Sequence, residues 1–163
     1  GYSNTTQPII LGLPEKFESN ITYDLTLSVE AYSGQHSESA QGGFRLLISN
    51  GSVEIQNQSR VQFLDGGWTH TESGNQYRSW NLTWTAPSDN TTTVDFVLHG
   101  NAVNGNGNSE GDMWNSFGTV LPGAQHEGPV EQLNLTSELD DTQYGILYAG
   151  LIALLLFLYF AIK

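Results

Sequence analysis

The chain has 163 residues, no cysteine, and 17 Asp and Glu against 5 Lys and Arg, for a formal net charge of −12. Zero cysteines exclude disulfides, thiolate zinc sites, iron–sulfur clusters and covalent haem attachment. The carboxylates all precede a C-terminal apolar run, where only Lys16, Arg45, Arg60 and Arg78 oppose them. A surface of that sign repels phosphate backbones, so nucleic acid is excluded as a partner.

Taken in chain order, a weak strand is expected at Ile9 to Leu13 and a strong one at Asn20 to Ala31. In the second, Ile21, Tyr23, Leu25, Leu27, Val29 and Ala31 alternate with Thr22, Asp24, Thr26, Ser28 and Glu30, the period of two of a half-buried strand. Weaker strands follow at Phe44 to Ser49, Val53 to Gln56 and Arg60 to Leu64. Ser79 to Ala86 is clear, with Trp80, Leu82 and Trp84 on one side and Asn81, Thr83 and Thr85 on the other. Thr92 to Gly100 turns Val94, Phe96 and Leu98 inward, and a last strand runs from Trp114 to Leu121. Turn signals such as Ser33-Gly34, Asn50-Gly51, Gly66-Gly67 and Pro87-Ser88-Asp89-Asn90 separate them. No helical periodicity precedes the apolar run. Seven or eight short strands with turns between them predict an all-β, immunoglobulin-like antiparallel sandwich over residues 1–121, a length for one domain.

Residues 122–143 carry Pro122, Gly123, Gly128, Pro129 and several acidic residues without apolar alternation. They read as a stalk, up to about 60 to 70 Å long if extended. Residues 144–163 read as a transmembrane helix. Gly145 to Ile162 is uncharged and apolar for 18 positions, about 27 Å of helix against a hydrocarbon core of roughly 30 Å. Its eleven Leu, Ile and Phe favour insertion by about 3 to 7 kcal/mol. Asp140 and Asp141 ahead of it and Lys163 behind it place the C-terminus in the cytoplasm and the N-terminal domain outside the cell membrane.

Seven of the thirteen Asn residues open an Asn-x-Ser/Thr triplet: Asn4, Asn20, Asn50, Asn57, Asn81, Asn90 and Asn134. With 29 Ser and Thr in the chain, chance gives about two, and every triplet precedes the apolar run. An N-glycosylated outer domain explains both the number and the placement. In strands, residues two apart share a face, and at Asn20/Thr22 and Asn81/Thr83 that face is the polar one. Sequons, acidity, few Lys and no Cys together match an archaeal surface protein, and the start at Gly1 reads as a mature chain whose leader has been removed.

Several phrases in order form a larger pattern. Gly12-Leu13-Pro14 precedes Tyr23-Asp24-Leu25-Thr26-Leu27-Ser28-Val29, followed by Gly43-Phe44-Arg45-Leu46-Leu47 and Thr69-His70-Thr71. Trp80-Asn81-Leu82-Thr83-Trp84-Thr85-Ala86-Pro87 and Gly100-Asn101-Ala102-Val103-Asn104-Gly105-Asn106-Gly107, before Gly111-Asp112, complete it. The series, over about residues 8 to 122, resembles the reeler-like β-sandwich family, most closely its prokaryotic choice-of-anchor branch. The resemblance implies a secreted or surface-attached module held by a C-terminal anchor, and it implies no agreed catalytic activity. The Cys-x-x-Cys-His haem motif of many prokaryotic relatives and the disulfides of eukaryotic reeler domains are both missing.

Candidate sites are few. His70 and His99 lie at neighbouring strand ends and, with Asp112 or Glu110 as third ligand, would suit copper or zinc; hydrogen bonding to a loop carbonyl explains the same histidines. His36 and His126 fall in loops and are given no role. Asn104 to Asp112 sets oxygen-bearing side chains at alternate positions, as calcium loops do, although Asn and Gly also serve tight turns. Trp68, beside Gly66-Gly67, is the aromatic best placed to stack on a sugar, whereas Trp80 and Trp84 belong to the core. Gly145, Ala149 and Ala153 recur every four residues and offer a small-residue face for another membrane protein or a second copy. No Ser-His-Asp order, glycine elbow, phosphate loop or close carboxylate pair supports an enzyme. The leading expectation is therefore a membrane-anchored glycoprotein whose sandwich binds or scaffolds, as an accessory subunit of a membrane assembly. The alternatives are a copper-binding redox or metal-delivery domain and a self-associating envelope protein.

Overall fold

The computed structural model describes residues 1–31, 40–104, 106, 108–135 and 141–162. The Ser33-Gly34 turn, His36, Gly105, Gly107 and Lys163 lie outside them. Among the described residues nine strands form two antiparallel sheets. The four-stranded sheet has the order β1 (Thr6–Leu11), β2 (Thr22–Ala31), β7 (Ser79–Thr85), β4 (Ser52–Ile55). The five-stranded sheet runs β5 (Val61–Leu64), β6 (Gly67–His70), β3 (Gly42–Ile48), β8 (Thr93–Ala102), β9 (Met113–Pro122). The expected all-β, two-sheet sandwich is what the chain builds.

Alternation decides the core. In β7, Trp80, Leu82 and Trp84 are buried while Ser79 and Asn81 are exposed. Leu25, Leu27 and Val29 of β2 and Val94, Phe96 and Leu98 of β8 meet them from the two sheets, each at most 1% exposed. Full burial of each large apolar side chain contributes roughly 1.5 to 3 kcal/mol, so a charged residue at Leu82 would break the sandwich at its centre. Trp84 packs edge-on to Phe96 with ring centroids 5.0 Å apart and edge-on to Phe17 at 5.8 Å. Its indole N–H donates to the Asn50 carbonyl at 3.1 Å, which satisfies the one polar atom it buries.

Three local readings are corrected. β2 begins at Thr22 rather than Asn20, because Asn20 adopts a left-handed turn (φ 58°) and leaves Ile21 48% exposed. The shared-face argument for sequons therefore holds at Asn81/Thr83 and not at Asn20/Thr22. Gly67 to His70 is a strand, not a turn. Asp65 (φ 47°) and Gly66 (φ 76°) are the two central residues of a tight hairpin joining Leu64 to its partner Gly67. Such a two-residue turn with both φ values positive matches the twist of the flanking strands. A 3-10 turn at Ser73–Gln76 was also not foreseen.

The third correction concerns the stalk. Along its described part it is tied down: the Phe17 N–H donates to the Pro122 carbonyl, and the Ala124 N–H donates to the Phe17 carbonyl at 2.9 Å. The His126 ring nitrogen Nδ1 lies 2.9 Å from the Thr91 carbonyl. Further on, Leu135 sits so close to Gly118 that a Cβ there would come within 2.8 Å of it. Residues 123–135 thus run back along the outer surface of β8 and β9 as a strap.

The C-terminal helix α1 (Asp141–Ile162) covers 22 residues. Its side chains at 141, 143, 153–156 and 159–162 lie outside the described ones. Among the described residues no helix is long and apolar enough to cross a membrane, so the transmembrane reading of residues 144–163 rests on the sequence alone.

Candidate functional site

The outer face of the five-stranded sheet carries a groove. Because Phe44, Leu46, Leu98 and Ala102 point between the sheets, the alternation turns Gly43, Arg45, His99 and Asn101 outward. Arg45 pairs in register with His99, and Gly43 with Asn101. Next to them β9 offers Trp114, 47% exposed, opposite Asn101. From the other side the His70 ring lies across Gly43. A Cβ at that position would come within 2.3 Å of His70 Cε1, so only glycine leaves room for the ring. The result is a mostly apolar depression of about 450 Å³ lined by Gly43, Arg45, His70, His99, Asn101 and Trp114, among others. That volume falls in the range of small-ligand sites.

The polar groups around it are held by the sheet. The Phe44 N–H donates to His70 Nδ1 at 3.2 Å. His99 Nδ1 lies 2.7 Å from Ser116 Oγ across the β8–β9 pair. Arg45 donates to the carbonyls of Asp65 (2.6 Å) and Leu64 (3.4 Å) in the β5–β6 turn. These two bonds use only part of the guanidinium's five N–H donors. An apolar floor with an Arg and two imidazoles at its margin suits a ligand with an apolar body and a carbonyl or carboxylate oxygen.

His70 and His99 thus line one groove, on opposite sides of β3. Asp112 does not join them: its carboxylate accepts the Asn104 N–H at 3.2 Å in the neighbouring loop. Among the described residues no three His, Asp or Glu side chains gather as a metal centre requires. The expected trio of His70, His99 and Asp112 is not assembled, because Asp112 is held in the neighbouring loop by the Asn104 N–H. The Ser116–His99 contact has the spacing of a nucleophile and base. Among the described hydrogen bonds, however, no carboxylate orients the imidazole.

The Asn104 to Asp112 loop uses its oxygens internally. Asn104, Asn106 and Asn108 each accept the backbone N–H two residues ahead, at 3.0, 3.0 and 2.8 Å. These are the side-chain turns by which Asn stabilises irregular backbone. Trp68 is not a free platform either: it belongs to β6, packs against the core and meets Phe63 edge-on at 5.0 Å. The exposed aromatic pair is Trp114 with Tyr2, centroids 5.4 Å apart and Tyr2 64% exposed.

Of the sequon residues, Asn4, Asn20, Asn50, Asn57, Asn81 and Asn134 are exposed. Asn90 is 7% exposed and packed in the β7–β8 connection, where its carbonyl accepts the Gln125 N–H at 3.0 Å. In α1, Gly145 and Ala149 are exposed, while the Ala153 side chain lies outside the described ones.

No protein-family model matches the chain, and no characterised protein matches it by sequence. Among solved structures it is similar to the Reelin-N domain of F-spondin, with a TM-score of 0.49 and 20% identity over 76% of this chain and 88% of that one. The human F-spondin reeler domain gives 0.47 and 19%, covering 76% and 91%. A conjugative transposon lipoprotein from Bacteroides eggerthii gives 0.44 and 14%, covering 71% and 97%. These similarities bring no ligand or activity with them.

Proposed function

We propose that this chain is a binding module held at the outer face of a membrane by α1, with the groove of β3, β6, β8 and β9 as its recognition surface. The groove carries the reading. It is built and kept open by Gly43 and held in shape by backbone bonds, and it presents Arg45, His70 and His99 around an apolar floor. The anchor is supported by the sequence of α1: Gly145 to Ile162 is uncharged and apolar for 18 positions, about 27 Å of helix against a hydrocarbon core of roughly 30 Å. Ile146, Leu147, Leu151, Ile152, Phe157 and Leu158 of α1 are all at least 45% exposed, an unfavourable state in water and a favourable one in lipid. N-glycans at the exposed sequons and service as an accessory subunit, with Gly145 and Ala149 against a neighbouring helix, belong to the same proposal.

A photoreactive side chain at Asn101 tests the recognition surface. In membranes of cells that make the protein it should give one discrete adduct, lost when Gly43→Val displaces the His70 ring. The same probe at Thr26, on the outer face of the other sheet, should give none. Equal labelling from both faces would reject the groove as the recognition surface.

A further inference from the structure

We propose that β5 is a docking edge for a second copy of this chain, the two β5 strands pairing antiparallel about a two-fold axis at Gln62. The inference rests neither on the groove nor on α1; an open sheet edge carries it.

β5 is a margin of the five-stranded sheet, with β6 on one side and, among the described residues, no strand on the other. In an antiparallel ladder, residues whose backbone groups point at the neighbouring strand alternate with residues whose groups point away. The Arg60 carbonyl accepts the Thr71 N–H, so Arg60, Gln62 and Leu64 face β6, while Val61 and Phe63 turn their N–H and C=O outward. Such a row is a template for another strand. The other margins are blunted. β1 carries Pro8, which has no N–H, and β4 carries Glu54. β9 is bridged by Tyr2 at Trp114 and, just past its end, by Phe17 at Gly123. β5 reads Val-Gln-Phe-Leu, without charge or proline, and its Phe63 and Leu64 are 59% and 49% exposed.

The space beside β5 also fits a strand. Phe63 shares a face with Val61, which is buried between the sheets. There β4 and β5, the margins of the two sheets, leave an open cleft of about 600 Å³ lined by Val53, Ile55, Val61, Phe63 and Trp68, among others. A strand added to β5 would set every second side chain into that cleft.

β5 supplies such a strand itself. About an axis at Gln62, Val61 lies opposite Phe63 of the second copy, and Phe63 opposite Val61 of the second copy. All of these residues turn an N–H and a C=O outward, so each pair exchanges both of its hydrogen bonds. Phe63 of the second copy then enters the cleft beside Val61. Charge selects the direction. Arg60 precedes β5 and Asp65 follows it, and among the described residues neither is in an ion pair. Antiparallel pairing brings Arg60 next to Asp65 of the second copy at both ends, whereas parallel pairing sets like charges side by side.

The chain has no cysteine, so a single introduced one reports the register. At the axis the two Gln62 residues form a non-hydrogen-bonded pair with Cα atoms about 4.5 Å apart, within disulfide reach. Leu64 lies on the same face but opposite Arg60, roughly 13 Å along the strand from Leu64 of the second copy. In mild detergent and under gentle oxidation, the full chain carrying Gln62→Cys should form a disulfide dimer at least about tenfold faster than the one carrying Leu64→Cys. Adding Phe63→Lys to Gln62→Cys should abolish that dimer and keep Tm within about 3 °C, because Phe63 is exposed. Equal rates for the two cysteines, or a crosslink that survives Phe63→Lys, overturns the register. A monomer throughout overturns the second copy and leaves the edge to a strand of another protein. A dimer by mass without the Gln62→Cys bond places the association in α1 and overturns the proposal as well.

Discussion

Gly43→Ala probes the groove most directly. The added Cβ would lie 2.3 Å from His70 Cε1 and 2.8 Å from both ring nitrogens, so the imidazole must leave the floor. It then gives up the bond from the Phe44 N–H, and a group of neutral strength is lost from a partly buried position. Such a bond contributes about 0.5 to 1.5 kcal/mol, and an unsatisfied N–H adds to the cost, so a destabilisation of about 1 to 2 kcal/mol is expected. For a sandwich of this size that lowers Tm by roughly 3 to 8 °C. The decisive measurement is a double-mutant cycle by urea unfolding of the full chain in mild detergent. His70→Ala removes the same bond and also the obstacle. In that background Gly43→Ala should cost less than about 0.5 kcal/mol, leaving the double variant about 1 kcal/mol more stable than the sum of the singles. Strict additivity would show that the ring does not occupy the space over Gly43, and the account of the groove would fail with it.

Trp84→Ala removes a side chain with no exposed area together with its contacts to Phe17, Tyr23 and Phe96; it should cost about 3 to 5 kcal/mol, read from the urea midpoint, and a loss under 1 kcal/mol would contradict the packing described. Mass spectrometry of glycopeptides from the native source should find Asn90 unmodified even where Asn20 or Asn81 is occupied, and a glycan on Asn90 would show that the β7–β8 connection opens. Asp89 accepts the Thr91 hydroxyl at 2.7 Å and the Thr91 N–H at 2.9 Å, bonds that hold its carboxylate below the ordinary range. Because the folded-state value is depressed, the stabilisation is complete above the unfolded-state pKa of about 3.8 and disappears as pH falls through the folded value. The stability difference between the native protein and Asp89→Asn should therefore be constant near neutral pH and shrink under acid; a difference that grows on acidification would reverse the assignment.

Period-two patterning made β2, β7 and β8 legible from the sequence, because a strand with one buried face must alternate, and Trp80, Leu82 and Trp84 can only be core when their neighbours are Asn and Thr. The absence of cysteine and the sign of the charge excluded whole classes of chemistry without any structure. The same rule was silent on Gly67 to His70, a strand too short to show a period; its signal was the Asp65-Gly66 pair, a tight-turn dipeptide hidden beside a second glycine. Nor could spacing alone say that His70 and His99 flank one groove while Asp112 belongs elsewhere. That depends on β3 lying between β6 and β8 and on Gly43 having no side chain for the ring to meet. The strap was the least legible element, since its prolines and glycines read equally well as a free stalk; its bonds to Phe17, Thr91 and Thr92 and the contact of Leu135 with Gly118 fix it to the sandwich. Local patterning determines which face of a strand is buried; which faces then meet, and which loop lies across them, is set by contacts between residues far apart in the chain, and no local period encodes those.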